Sequence, residues 1–100
     1  MAPGAYVPDD GTGDERIVVI GEAPAEHEVR RGKPFVGPSG QRVLAWMFAA
    51  GLERNDIYWT NVYPRQAPQN KIENVPQAEL EPWVDELHKR LAQLTDPIVI

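Results

Sequence analysis

The feature that most constrains the fold is a run of four β-branched residues, Ile-Val-Val-Ile at positions 17–20, which ends at Gly21. An uninterrupted apolar run of this length is typical of a strand buried on both faces, as in a parallel sheet. Two further segments, 57–62 and 96–100, are rich in β-branched or aromatic residues and are also predicted to be strands. We therefore expect a parallel sheet, with chemistry concentrated where the first strand ends.

Two helices are predicted between these strands. Apolar residues recur at helical spacing over 41–50, with Ser39 as a possible N-cap and Gly51 as the C-terminal stop. A longer helix is predicted over 76–94, with acidic residues early and basic residues late, as the helix dipole favours. This alternation predicts an α/β fold, a three-layer α/β/α arrangement around a central parallel sheet with strand order 2-1-3. A ligand is expected at the switch point beside the end of the first strand.

The other segments are predicted to be irregular. Residues 1–14 are interpreted as a flexible leader outside the core, because they are rich in Pro, Gly and Asp and lack apolar periodicity. Residues 15–100 are interpreted as the N-terminal part of an α/β domain that stops before its last strand. Long loops are expected at 22–40 and 63–74. No signal peptide or membrane span is recognised, so we expect a cytoplasmic protein with no membrane partner.

Composition excludes several classes of site. The 100 residues include 10 Lys+Arg, 15 Asp+Glu and no Cys, which gives a formal net charge of -5. Without cysteine there is no disulfide, thiolate zinc site or cysteine-ligated iron–sulfur cluster. The acidic balance argues against nucleic-acid binding driven by overall charge, although a local patch can still contact phosphates. One such basic stretch is present: Arg30, Arg31, Lys33 and Arg42.

Three residues near the predicted strand ends and loops have side chains that could act in chemistry. Each also has a simpler structural explanation when it is considered alone. Glu22 would be an ordinary loop acid, Phe35 would cap the sheet, and Asn61 would hold a turn at a strand end. The basic stretch would be a solvated loop. The spacing of the segments that contain these residues decides between the structural and the functional explanations.

The joint spacing is distinctive. Residues 21–28 read GEAPAEHE, residues 32–40 read GKPFVGPSG, and Thr60-Asn61-Val62 is followed by Pro68 and Asn70. Together these segments resemble the uracil-DNA glycosylase superfamily, most nearly its family 4 type, whose motifs run G-E-A-P-G and G-x-P-F-V-G-x-A-G. The resemblance covers roughly residues 16–100. It implies an enzyme of DNA repair that flips uracil out of DNA and hydrolyses its N-glycosidic bond.

The resemblance also implies residue roles. Glu22 and Asn61 would be catalytic: Glu22 orients a water and stabilises positive charge at C1′, and the Asn61 amide reads the pyrimidine edge. Phe35 would stack on the base, and Glu28 would support the loop or the water. Substrate-binding positions implied in this way are Gly21, Ala23, Glu28, Phe35 and Asn61. DNA phosphates would be held by Arg30, Arg31 and Lys33.

The sequence departs from the family pattern at defined places. Arg65 and about Leu80 stand where two of the four cluster cysteines are expected, so no cofactor is predicted. Ala25 replaces a Gly and Val29 replaces a frequent Asp. The family's later histidine motif would lie beyond residue 100. Two alternatives therefore stay open: a catalytically silent nucleotide or single-stranded DNA binding relative, and an assembly module that self-associates through its unfinished sheet edge.

The remaining histidines and tryptophans are assigned structural roles. His27 is interpreted as an exposed loop residue and His88 as a surface residue of the long helix. Trp46 and Trp83 are expected in the core, and Trp59 is expected to pack under a helix. No metal site is predicted, because Glu26, His27 and Glu28 lack ligand geometry on a loop.

Overall fold

The computed structural model describes residues 5–94 and the backbone of residues 98–99. Its strands and helices follow the predicted alternation. They are β1 (Ile17–Gly21), α1 (Glu26–Arg31), α2 (Pro38–Ala49), β2 (Ile57–Asn61), α3 (Gln77–Ala92) and β3 (Ile98–Val99). Short 3₁₀ turns lie at Arg54–Asp56, Pro68–Asn70 and Ile72–Asn74.

The sheet is parallel, and β1 pairs with β2 on one side and with β3 on the other. Along β1 and β2 the register runs from Ile17 opposite Ile57 to Gly21 opposite Asn61. The carboxyl ends of the two strands therefore coincide at one edge of the sheet. The α/β class with a parallel sheet is confirmed.

One face of the sheet packs against α2. Val19, Ile57 and Trp59 form a buried cluster, and Trp59 is 0% exposed. Three residues of α2 pack on this cluster: Val43, Leu44 and Met47. The prediction that Trp59 packs under a helix is confirmed. The prediction for Trp46 is wrong, because its side of α2 faces solvent and the residue is 63% exposed.

A second apolar cluster lies under α3. Tyr63, Ala67 and Val75 are buried, and Leu80 and Trp83 of α3 pack against them. Trp83 is half-buried rather than fully enclosed, and its ring lies 6.0 Å from the ring of Tyr6. This cluster fixes the segment that follows β2 against the helix.

The N-terminal segment is part of this packing. Val7 is 3% exposed, and its N–H donates to the carbonyl of Pro64 at 2.8 Å. Asp10 forms an antiparallel bridge with Trp59, in which each N–H donates to the other residue's carbonyl at 2.9 Å. The interpretation of 1–14 as a leader outside the core is therefore wrong for residues 7–10, because these contacts come from β2 and were invisible in the local pattern. Residues 1–4 lie outside the described residues.

A partly buried ionic group joins this segment to α3. The Asp9 carboxylate accepts hydrogen bonds from Tyr58 OH at 2.7 Å, Thr60 Oγ1 at 2.6 Å and Arg90 Nη1 at 2.7 Å. Burial and the neighbouring Asp9 carboxylate raise the pKa of Tyr58 well above its usual range. Asp9 therefore connects the N-terminal segment, β2 and α3.

Several element boundaries differ from the predictions. The loop predicted at 22–40 contains α1, and α2 begins at Pro38 with Gly37, not Ser39, as its N-cap. Gly51 follows the end of α2 at φ 88°, as the predicted stop requires. The loop predicted at 63–74 contains two of the 3₁₀ turns. Residues 95–97 and 100 of the third strand prediction lie outside the described residues.

Within the described residues, none of the helices has the length and apolar character needed to span a membrane.

Candidate functional site

A cleft of about 270 Å³ opens at the carboxyl ends of β1 and β2. Its walls come from the end of β1, from the segment that follows it through α1, from the first turn of α2, and from the last residue of β2. The lining residues include Gly21, Glu22, Ala23, His27, Glu28, Phe35, Ser39 and Asn61. This is the edge at which open parallel sheets place their ligands.

Gly21 allows two larger side chains to meet at the base of the cleft. A Cβ on Gly21 would stand 2.5 Å from Asn61 Oδ1 and 2.8 Å from Phe35 Cζ. Real side-chain atoms do not approach so closely, so any other residue here would displace the amide or the ring. The sequence prediction placed these three residues in one site, and the structure brings them together.

The Asn61 side chain is a buried polar group beside open space. The residue is 7% exposed, and its backbone belongs to the last position of β2. The side chain lines the cleft, and its Oδ1 is the nearest atom to the position that a Cβ on Gly21 would take. A carboxamide carries both a donor and an acceptor, which are the groups that a polar ligand in the cleft would use.

Phe35 forms an aromatic wall and has an unusual backbone. Its ring centroid lies 5.1 Å from that of Trp59, with the ring planes tilted by 50°. Its φ of 57° is in the left-handed region, which costs a bulky residue roughly 1–2 kcal/mol. Half-buried and lining the cleft, the ring offers one exposed surface for stacking.

Glu28 ties the two loops of the cleft together. Its Oε1 accepts from the Ala25 N–H at 3.0 Å, and its Oε2 accepts from the N–H groups of Val36 at 3.0 Å and Gly37 at 2.5 Å. The residue is 9% exposed. A Cβ on Gly37 would lie 2.9 Å from Glu28 Oε2, so glycine permits this approach. Of the two roles predicted for Glu28, these bonds favour support of the loop.

Glu22 stands at the mouth of the cleft. Its side chain is exposed, and its backbone carbonyl accepts from the Tyr63 N–H at 2.9 Å. The Gly21 carbonyl accepts in the same way from Val62 at 2.9 Å, which extends the pairing of the strands beyond their assigned ends. Tyr63 is itself anchored, because its hydroxyl donates to Glu79 at 2.6 Å, and burial together with this bond raises its pKa to about 12.

The predicted basic residues do not line the cleft. Arg30, Arg31 and Lys33 are exposed at the end of α1 and just beyond it, and Arg30 pairs with Glu26 on the surface.

His27 lies on α1 rather than in a loop. It is exposed, as predicted, but it also lines the cleft, which the sequence interpretation missed. Contact of Pro38 and Ser39 with the cleft was also missed, although Pro at the first helical position could have indicated a helix start there.

Two departures from the family pattern are accommodated locally. Ala25 has φ -103° and ψ -168°, an extended conformation that requires no glycine. Val29 is 4% exposed and packs in the interior, so its apolar side chain suits its surroundings. Both residues are compatible with the shape of the loop as it stands.

The structure also bears on the iron–sulfur cluster that the family resemblance implies. The sequence contains no cysteine, and Leu80, near one expected ligand position, packs against the apolar cluster of Tyr63, Ala67 and Val75. These residues do not fit such a cluster. Among the described residues there is also no group of three His, Cys, Asp or Glu able to hold a metal ion.

Fold and site together define a parallel α/β protein with a polar and aromatic cleft at the carboxyl ends of its first two strands. The chain belongs to the uracil DNA glycosylase superfamily, whose family model matches residues 8–100. The predicted family is thereby confirmed. The match begins at residue 8, in agreement with the packing of the N-terminal segment.

Individual relatives are Type-4 uracil-DNA glycosylases. The chain is 35% identical over 95 residues to that of Archaeoglobus fulgidus, covering 95% of this chain and 47% of the relative. It is 39% identical over 62 residues to that of Thermotoga maritima, covering 62% and 32%. For Sulfurisphaera tokodaii the identity is 40% over 67 residues, covering 65% and 30%. The chain thus spans less than half the length of these relatives.

Proposed function

We propose that this chain forms part of a uracil-DNA glycosylase, a DNA repair hydrolase that cleaves the N-glycosidic bond of uracil after the nucleotide is flipped from the strand. The observation that carries the proposal is the meeting of the Asn61 amide, the Phe35 ring and the bare backbone of Gly21 in one cleft. Membership of the superfamily and the names of the Type-4 relatives support it.

Each cleft residue has a role in this proposal. The Asn61 amide presents a donor and an acceptor to the pyrimidine edge, and Phe35 stacks on the base. Backbone groups of Gly21, at the end of β1, and of Ala23, just after it, contact the base, and Glu28 holds the loop around it. Stacking is worth roughly 1–3 kcal/mol per base, which offsets part of the cost of flipping.

Glu22 supplies the chemistry in the proposal. A carboxylate at the mouth of the cleft can orient a water toward C1′ and stabilise the positive charge that develops on the sugar as the bond breaks. In this role the group acts on the sugar, while Asn61 acts on the base. The two catalytic assignments are therefore separable by mutation.

DNA is proposed to cross the end of α1. Arg30, Arg31 and Lys33 are exposed there, close in sequence to Phe35, and would contact phosphates without reading sequence. The chain's overall charge of -5 confines this attraction to the local patch. The affinity should therefore fall steeply with salt.

We also propose that the complete domain is a three-layer α/β/α sandwich in which β1 stays central, in the order 2-1-3, and that residues 15–100 are its N-terminal part. A cytoplasmic location and self-association through the edge of β3 stay predictions. The latter is checked by sedimentation, which would show a concentration-dependent dimer if the edge pairs with a second copy.

A glycosylase assay tests the function directly. We expect the chain to release free uracil from a single-stranded oligonucleotide with one uracil, and we expect Glu22→Ala, Phe35→Ala and Asn61→Ala to reduce release. Asn55→Ala, at an exposed position outside the cleft, is the matched control for Asn61. Release that survives all three cleft changes would reject the site. Saturable binding without release would instead favour a catalytically silent relative.

A further inference from the structure

The aromatic wall of the cleft is held by a side chain that lies outside the cleft. Arg54, in the short turn before β2, donates from Nη2 to the Pro34 carbonyl at 2.6 Å and from Nη1 to the Phe35 carbonyl at 3.1 Å. Two consecutive carbonyls thus accept from one guanidinium. The planar fork of arginine matches this arrangement, whereas the ammonium of lysine is a compact point charge.

The guanidinium is oriented from two other directions. Its Nε donates to Asp10 Oδ2 at 2.8 Å, and its central carbon lies 5.1 Å from the centroid of the Trp59 ring. The Arg54 carbonyl in turn accepts from Trp59 Nε1 at 3.0 Å. Arg54 is therefore fixed by the N-terminal segment and by β2, independently of any ligand in the cleft.

The Phe35 backbone is enclosed on another side by α2. Gly40, in the first turn of that helix, lies so close that a Cβ there would overlap backbone atoms of Phe35. Left-handed backbone at a bulky residue persists only where the surroundings over-determine it. Here the surroundings are the Arg54 fork on the two carbonyls and the close packing of Gly40.

We propose that Arg54 is a positioning residue of the uracil site. It fixes the Phe35 backbone so that the ring stands between Trp59 and Gly21 as the surface on which the base stacks, and Asp10 orients Arg54 for this task. Arg54 does not line the cleft, so it acts through Phe35. The identity of the base in this inference rests on the proposed function. The position of the ring does not depend on it.

Fluorine NMR tests the position of the ring. The chain has two phenylalanines, so 4-fluorophenylalanine labelling gives one signal from Phe35 and one from Phe48, which is 69% exposed and serves as an internal reference. In Arg54→Lys, which keeps the charge and removes the fork, we expect the Phe35 signal to shift and broaden while the Phe48 signal stays. Asp10→Asn, which leaves both carbonyl contacts in place, should give a smaller shift in the same direction.

Arg90→Lys is the matched control. Arg90 is buried to a similar extent as Arg54, with side chains 19% and 22% exposed, and it pairs with Asp9 rather than with the Phe35 loop. We expect this variant to lose stability without moving the Phe35 signal. An unmoved Phe35 signal in folded Arg54→Lys and Asp10→Asn, or an equal shift in Arg90→Lys, would overturn the proposal.

Binding measurements distinguish a failure of this inference from a failure of the proposed function. For a single-stranded oligonucleotide with one uracil, we expect Arg54→Lys to raise Kd about 10-fold, within the range for loss of one stacked base, and Arg90→Lys to change it little. An equal rise for uracil and cytosine strands would overturn a role at the base. If the wild-type chain does not distinguish those strands, the proposed function fails, and the fluorine spectra still decide whether Arg54 positions the ring.

Discussion

Gly21 and Asn61 face each other at the last paired position of β1 and β2, and the Asn61 carboxamide oxygen occupies space that any side chain at residue 21 would need. The same missing side chain admits the edge of the Phe35 ring. Strand register and one glycine thus bring a hydrogen-bonding group and a stacking surface to a single point. The geometry makes residue 21 as important as the two groups that we propose to contact the base.

Gly21→Ala should therefore damage the site more than the fold. We expect at least a 10-fold loss of affinity for uracil-containing single strands, because displacement of the ring removes a stacking contact. Gly13→Ala is the control: Gly13 has φ 98° with open space around it, so alanine there is strained but remote from the cleft. Anisotropy titrations that show equal losses in both variants would contradict this interpretation.

Glu28→Gln should loosen the loops around the cleft. One neutral amide replaces a carboxylate that accepts three backbone hydrogen bonds, and it turns an NH₂ group toward N–H donors. Since an unsatisfied buried donor costs about 1–3 kcal/mol, we expect the free energy of unfolding to fall by about 2 kcal/mol in urea titrations. A fall below roughly 0.5 kcal/mol would show that water replaces the carboxylate.

Asp9→Asn should lower the free energy of unfolding, although Asp9 lies in the segment predicted to be a flexible leader. The carboxylate accepts from Tyr58, Thr60 and Arg90, and the side chains of Arg90 and Asp9 are only 19% and 16% exposed. We expect the free energy of unfolding to fall by about 2 kcal/mol, which is less than the loss caused by breaking a fully buried ion pair.

Glu26→Gln provides the comparison for Asp9→Asn. It removes an ion pair to Arg30 whose side chains are 63% and 71% exposed, so the loss should be under about 0.5 kcal/mol. Equal losses in the two variants, measured by urea unfolding, would argue against a connecting role for Asp9.

Much of the fold could be predicted from the sequence, because the residue patterns that indicate these strands and helices are local. The β-branched run before Gly21 and the apolar spacing of α2 and α3 need no knowledge of their partners. The six residues of α1 were missed because their start is capped by Glu28, which also reaches Gly37 across the loop. The burial of Val7 and the exposure of Trp46 likewise depend on which neighbours cover them.

The site was accessible for a different reason. In a parallel sheet the residues that follow neighbouring strands must meet at one edge, so Gly21, Glu22 and Asn61 could be placed together before any coordinates. Phe35 was assigned through the family motif. Arg54 was not found, because its hydrogen bonds to the Pro34 and Phe35 carbonyls join segments about 20 residues apart and leave no local pattern.

Tyr63 gives the stability a defined pH dependence. Its folded pKa of about 12 exceeds the ordinary value of 10.0, so the fold favours the protonated hydroxyl that donates to Glu79. This contribution is fully present below pH 10 and is lost as the pH rises from 10 to 12.

Tyr63→Phe should therefore differ from wild type near neutral pH by about 1 kcal/mol and match it more closely above pH 12. Urea titrations at both pH values measure the difference, with Tyr6→Phe as an exposed control. A constant difference across this range would contradict the assigned pKa.

The central claim is that the cleft takes uracil through Asn61. The most direct measurement is the NMR shift of the Asn61 side-chain amide during titration with a single-stranded oligonucleotide that carries one uracil, beside the same strand with cytosine. We predict saturable shifts of this amide and of the Gly21 and Ala23 backbone signals with uracil, and weak shifts with cytosine. Equal responses to both strands, or shifts confined to residues outside the cleft, would contradict the account.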